Sequence, residues 1–292
     1  MKYYIVIPAH NEADFIEMTL ISVVQQTLLP KKVVVVNDNS SDSTETIIDQ
    51  FVQQHAFITK VNTNASNEHL PGSKVIEAFY KGFETLDANF DIIVKLDADI
   101  ILPENYFETI CNHFKKDSKI GVAGGLAYIE KNGQWIYESI ADKNHVRGPF
   151  KAYRKTCFEQ IGGLQKSLGW DTADVLLARF FGWKVSVDES LQVNHLKPTG
   201  NAYKQKVHRD HGAVFYKLGY GFLISFISSF KIALKKKSIK VFLDYMNGFF
   251  SAKKKQATQM VTSEQGRFIR KYRRTQMTRK IKGFLGFKQS EK

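Results

Sequence analysis

Two carboxylates two residues apart, Asp97 and Asp99, close the run Ile92-Ile93-Val94-Lys95-Leu96. A buried strand ending in two acids can aim both at one cation. Hard divalent ions such as Mg²⁺ or Mn²⁺ take oxygen ligands and are commonly shared between a carboxylate or two and substrate phosphates. In open parallel sheets ligands bind at the carboxyl ends of strands, and this pair is predicted to lie at such an end. A lone Asp-x-Asp is more often a solvated acidic turn, so the reading depends on the rest of the chain. Glu12 follows an early apolar run and Asp38 closes another. Asp171 and Asp174 open a predicted helix, and His195 stands near the end of a late strand.

The elements that would position these groups follow from periodicity. Residues 3–8 and 32–38 read as buried strands, the second being nearly all β-branched. Residues 56–62 form a weaker third strand, and the run before Asp97 a fourth. Helices are predicted between them, to about residue 26 and over 44–54 and 73–86. Alternating strands and helices over the first 100 residues mean a parallel, doubly wound sheet. Three of its strands end in polar clusters, which makes a pocket suited to a nucleotide. No glycine fingerprint of a dinucleotide fold or P-loop is present.

After Asp99 the rhythm breaks. A helix is predicted over 103–116. Strands over 121–129 and 134–137 are joined by an Asn-Gly turn. A short extended stretch at 151–154 precedes a helix over 155–161 stopped by Gly162-Gly163. A helix runs from Trp170 to about Phe181, and two separate strands are expected at 184–187 and 192–196. From Val207 on the pattern is helical.

The chain has 292 residues and 43% apolar content, enough for one large domain and an appendage. Its two cysteines, Cys111 and Cys157, make no paired spacing, which argues against a disulfide framework or zinc site. The start leads straight into a strand, so no signal peptide is expected. The net charge of +13 is uneven. Residues 231–292 hold 18 Lys/Arg against 3 Asp/Glu, leaving 24 against 26 in residues 1–230. A basic tail points to nucleic acid or to an anionic membrane surface. The uncharged run 218–230 is too short to span a bilayer, which needs about 20 residues. A second apolar face, Val241, Phe242, Tyr245, Met246, Phe249 and Phe250, lies between lysine triplets at 235–237 and 253–255. Such faces fit helices lying in a membrane interface, or packing on the body or a partner.

In order and spacing, residues 1–200 resemble the family 2 glycosyltransferases. The resemblance rests on Pro8-Ala9-His10-Asn11-Glu12, Val36-Asn37-Asp38-Asn39-Ser40-Ser41-Asp42, and Gly72-Ser73-Lys74 with Ala78 and Gly82. Asp97-Ala98-Asp99, Gly162-Gly163 and Trp170-Asp171 with Asp174 complete it. It implies the GT-A fold: a Rossmann-like, mostly parallel sheet with helices on both faces. A C-terminal helical, membrane-associating extension would follow. Residues 1–206 would be the catalytic domain, with a nucleotide-binding half (1–100) and an acceptor half (101–206), and residues 207–292 a basic amphipathic tail.

The resemblance also implies roles. Asp38 would accept a hydrogen bond from the base or ribose, with Pro8, Ala9, Asn11, Glu12, Ser40 and Ala98 around the nucleotide sugar. Gly72 and Lys74 would shape the wall near the sugar or phosphates. Asp99, with Asp97 nearer the sugar, would hold Mn²⁺ or Mg²⁺ against the diphosphate; by its own place at the end of a late strand, His195 is the candidate third contact, to the metal or to a phosphate. The family places a general base at the start of the helix after the Gly-Gly segment, often as Glu-Asp. This chain reads Trp170-Asp171, so Asp171 is the first candidate and Asp174 the second. Asp171 also suits the first turn of a helix electrostatically. Trp170 would stack on the acceptor sugar.

The expected activity is an inverting, metal-dependent transfer of a hexose from a nucleoside-diphosphate sugar, UDP-sugar favoured. The acceptor would be a glycan or lipid-linked glycan in cell-surface polysaccharide synthesis. The protein would be cytoplasmic and peripheral on the inner face of the cell membrane. Transfer to a polyprenyl phosphate is the alternative and needs no base. A nucleic-acid-binding protein is the alternative of another class, but no RNA-binding, zinc or helix-turn-helix signature supports it.

Overall fold

The computed structural model describes residues 1–63, 72–138, 144–197 and 206–284. Most of the expected loop 62–72 and part of 196–200 lie outside the described residues, as does the end of the tail. The chain divides into two compact units, Met1–Thr199 and Gly200–Lys292.

The first unit opens with β1 (Tyr3–Ala9), α1 (Ile16–Val24), β2 (Lys32–Asp38), α2 (Thr44–Gln54), β3 (Ile58–Thr63), α3 (Lys74–Phe83) and β4 (Ile92–Leu96). The β-branched and apolar runs in β1, β2 and β4 are buried almost throughout, as strands covered on both sides must be. β1 pairs in parallel with both β2 and β4, and β2 with β3. All four strands therefore end at one edge, which gathers Glu12, Asp38 and Asp97.

The remaining elements are β5 (Ile100–Ile101), α4 (Tyr106–Lys116), β6 (Ile120–Lys131), β7 (Gln134–Tyr137), β8 (Phe150–Arg154), α5 (Lys155–Gln160), α6 (Trp170–Phe180) and β9 (Lys184–His195). Among the described residues they complete a nine-stranded sheet of order β3-β2-β1-β4-β8-β6-β9-β5, with β7 on β6. This half is mixed: β6 and β9 pair in parallel, whereas β8 is antiparallel to β4 and to β6, and β5 is antiparallel to β9. The two expected late strands are joined into one, β9: residues 184–187 and 192–195 pair with β6, and the stretch through Asp188 and Glu189 bulges out of that ladder at the register shift between Gly124 and Leu126.

The second unit is helical: α7 (Lys206–Lys217), α8 (Gly221–Lys236), α9 (Ile239–Lys254) and α10 (Ser263–Phe284). α7 and α9 cross closely at two glycines. A Cβ on Gly212 would lie 2.0 Å from the Tyr245 carbonyl oxygen, and one on Gly248 1.9 Å from that of Arg209. The Tyr245 ring packs on His208, His211 and Phe215 of α7. Val241, Tyr245, Met246 and Phe249 are therefore buried inside this unit. Of the two readings open for this face, membrane contact or packing, packing takes four of its six residues. Among the described residues no helix is long and apolar enough to cross a membrane.

Candidate active site

The loops after β1 and β2 brace each other. Asn11 and Asn39 both adopt left-handed backbone, at φ 52° and 54°, a conformation asparagine tolerates. The Asn11 amide N–H donates to Ser40 Oγ at 3.1 Å, and its side-chain oxygen accepts from the Ser41 N–H at 2.8 Å. Both predicted nucleotide contacts, Asn11 and Ser40, are thus engaged in holding the pocket rim. Asp38 is buried and accepts from the Thr63 hydroxyl at 2.6 Å. Pro8 and Ala9 are buried at the end of β1. The Glu12 carboxylate takes Lys197 Nζ at 2.7 and 2.8 Å.

Gly72 has φ 77°, and a Cβ there would stand 2.9 Å from Leu168 Cα. Only glycine fits that turn, which sets the start of α3 beside the loop leading into α6. Lys74, half-buried, is the first residue of α3.

The acidic pair is fixed from α1. The buried Thr19 hydroxyl donates to the Ala98 carbonyl oxygen at 2.8 Å and accepts the Ile100 N–H at 3.0 Å. Asp97 contacts Lys95 Nζ. Asp99 instead meets His195. β5 pairs with the end of β9, Ile100 opposite His195, and the Leu196 N–H donates to the Asp99 carbonyl oxygen at 2.9 Å. His195 Nε2 thereby comes 3.4 Å from Asp99 Oδ2.

Glu138 completes this cluster. Its carboxylate lies 3.6 Å from His195 Nδ1 and 2.6 Å from Arg147 Nη1. Burial would lower the His195 pKa, but the neighbouring carboxylates of Asp99 and Glu138 raise it to about 9. Burial likewise pushes Glu138 up, and His195 and Arg147 outweigh it, holding the carboxyl at about 2. At 3.6 Å Glu138 acts on the imidazole through its charge, and Nδ1 is buried with no hydrogen-bond partner among the described residues.

Asp99, and His195 once the ion displaces its proton, would offer a divalent ion two donors, the number such ions commonly take from protein beside substrate phosphates. The expected third ligand does not join them. Among the described residues there is no group of three His, Cys, Asp or Glu placed to hold a metal, and Asp97 is engaged by Lys95.

The two candidate bases differ sharply. Asp174 is 1% exposed, and its oxygens lie 2.8 and 2.9 Å from Lys151 Nζ. The Tyr153 hydroxyl donates to it as well. Burial pushes its carboxyl up despite Lys151. Asp174 is thus turned to Lys151 and Tyr153 rather than to solvent. The Asp171 side chain is 38% exposed, with His145 Nε2 3.9 Å away. Burial would raise the Asp171 pKa, but His145 and the charges of Lys151 and Arg147 hold it well below the usual carboxylate range. Asp171 is thus ionised and only partly open to solvent.

Trp170 departs from its expected role. It is 7% exposed, and Lys95 and Lys151 stand over its ring at 5.1 and 5.5 Å. It supports the two lysines and presents no open face for a sugar.

Residues 4–168 match the family model described as glycosyl transferase family 2. The chain belongs to that family. As a family 2 glycosyltransferase it is an enzyme that transfers a glycosyl group. Over 197 residues it is 29% identical to a Bacillus subtilis (strain 168) protein described as Probable glycosyltransferase YdaM, covering 59% of this chain and 45% of that one. Over 200 residues it is 24% identical to the poly-beta-1,6-N-acetyl-D-glucosamine synthase of Staphylococcus epidermidis, covering 60% and 43%. The chain thus matches less than half the length of these relatives. Its fold is similar to that of S. aureus TarS 1-349 in complex with UDP-GlcNAc, at TM-score 0.56 and 16% identity, covering 86% of this chain and 73% of that one. It is also similar to the mannosyltransferase PcManGT from Pyrobaculum calidifontis in complex with GDP-Man and Mn²⁺. There the TM-score is 0.54 at 15% identity, covering 98% and 83%.

In this glycosyltransferase the residues that sequence reasoning missed are Glu138, Lys95, Lys151 and His145. A lysine inside an apolar strand was the available signal for Lys95. Nothing in the spacing of Glu138 or His145 marks them, because long-range pairing delivers both.

Proposed function

We propose that this glycosyltransferase moves a hexose from a nucleoside-diphosphate sugar, with inversion, to a hydroxyl of a glycan or lipid-linked glycan. The observation that carries the reading is the pairing of Asp99 with His195 at the edge where β1, β2 and β4 end. That edge offers Asp38 to the nucleoside and a cation site to the diphosphate. Asp99 and His195 would hold Mn²⁺ or Mg²⁺, which would neutralise charge on the leaving diphosphate as a Lewis acid. Asp171 accepts the proton of the acceptor hydroxyl as its oxygen attacks the anomeric carbon and the bond to the phosphate oxygen breaks.

Solved neighbours bound to UDP-GlcNAc and to GDP-Man with Mn²⁺ support a nucleotide-sugar donor and a metal. The synthase relative supports polysaccharide synthesis as the setting. UDP-sugars are the first donors to test. The basic second unit supports a peripheral position on the inner face of the cell membrane. The deciding experiment screens UDP- and GDP-sugars for hydrolysis and transfer by purified protein, with Mn²⁺ and with chelator. One donor turned over only with metal is expected; no turnover of any would overturn the reading.

A further inference from the structure

Thirteen large apolar side chains stand exposed among the described residues, and nine of them lie on α8 and α9. Scattered exposed apolar residues are ordinary; a contiguous patch marks an interaction surface. These are contiguous. Phe222 touches Phe226 and Phe250, at ring separations of 5.9 and 6.1 Å, and Phe242 bridges Phe226 and Phe230 at 5.3 and 6.4 Å. Leu223, Ile227, Leu234, Ile239 and Leu243 extend the patch with exposures of 40% to 71%. The opposite face of α9 is already spent on α7, so the patch is not a poorly packed core.

Residues 221–255 carry eight lysines and one acid. All eight lysines are exposed, while Asp244 is buried, 3.4 Å from Arg209. A cavity of about 290 Å³ borders the patch, lined in part by Tyr216, Phe222, Phe249, Phe250, Lys253 and Arg270. Aromatic walls with two cations suit a lipid phosphate and the start of its chain.

We propose that the exposed apolar face of the α8–α9 hairpin lies in the interface of an anionic bilayer, its lysines meeting the headgroups. This deepens the membrane position proposed above and assigns it to one face. Helices with large apolar residues on one side and lysines beside them bind lipid through buried apolar area and charge together. A second copy of the chain is a poor occupant, because lysine-rich rims would meet each other. Nucleic acid would leave the aliphatic residues uncovered.

The test is co-sedimentation of the full chain with vesicles of phosphatidylglycerol mixed with phosphatidylcholine, and with phosphatidylcholine alone. Wild type should prefer the anionic vesicles by about tenfold or more. Leu223→Gln, Ile227→Gln and Leu243→Gln combined should cut partitioning about tenfold with an unchanged thermal midpoint. Lys271→Gln, Arg274→Gln and Arg279→Gln on α10 should cost less. Equal binding by the apolar triple variant, with release of the α10 variant, would overturn the proposal. A wild-type dimer in light scattering that the apolar triple dissolves would also overturn it. Nucleotide binding measured without vesicles tests the transferase reading separately.

Discussion

Lys95 and Lys151 face each other across the β4–β8 ladder, both almost fully buried and both over the Trp170 ring. Like charges placed opposite in a sheet destabilise it. Here Asp97 contacts the first and Asp174 pairs with the second. The lysines thus stand beneath the acidic edge as built-in cations, each with its own carboxylate.

Lys151→Met should therefore unfold the protein more easily. Removing one partner of a buried ion pair typically costs about 3–5 kcal/mol, because the other charge is left uncompensated. Lys151→Met with Asp174→Leu should recover much of the loss. Urea midpoints of the single and double variants decide this; a double variant no more stable than the single would mean the pair is not the source.

Asp99→Ala should weaken nucleotide binding in Mn²⁺ or Mg²⁺ and leave binding in chelator unchanged. The motive is the 3.4 Å approach of Asp99 to His195. His195→Ala should act in the same direction. Calorimetric titration of UDP with and without metal reads both. Full metal-dependent affinity in either variant would remove that side chain from the cation site.

His145 carries a pH prediction. It is the largest influence holding the Asp171 pKa down against burial. Burial lowers its own pKa from the ordinary histidine value, with Asp171 opposing. A base with a depressed pKa stays ionised as pH falls, so the acid limb of the rate profile should lie below the ordinary carboxylate range. His145→Ala should let the Asp171 pKa rise and move that limb to higher pH. An unmoved limb in the variant would show that His145 does not set the base.

Much of this was legible in the chain. The β-branched run of β2 and the acids after β4 gave the parallel half and its edge, since both follow from local pattern. What the pattern could not carry was long-range register. His195 reaches Asp99 only through the two-residue β5 ladder, and Glu138 reaches His195 from beyond β7. The polar stretch around Asp188 and Glu189 read as a break, and the β6–β9 ladder is interrupted there; what local pattern could not show is that one strand continues across it. Helical periodicity likewise showed that α9 has an apolar face but not that α7 covers it.

The sharpest test separates Asp171 from Asp174. A sugar hydroxyl is a weak nucleophile and must lose its proton as it attacks. A positioned carboxylate contributes about 10²–10⁴-fold to such a step. Asp171 is partly exposed and ionised; Asp174 is enclosed by Lys151 and Tyr153. Asp171→Asn keeps size and shape but cannot take the proton. Its kcat should fall by about that factor, with donor affinity nearly unchanged and donor hydrolysis less affected than transfer. Asp174→Asn should lower stability first, because it leaves Lys151 buried without its counter-charge. Its rate per folded molecule should stay much closer to wild type. If Asp174→Asn instead loses the rate with its fold intact, the base is Asp174. If neither variant slows transfer, the acceptor is already an anion, and a polyprenyl phosphate becomes the substrate to test.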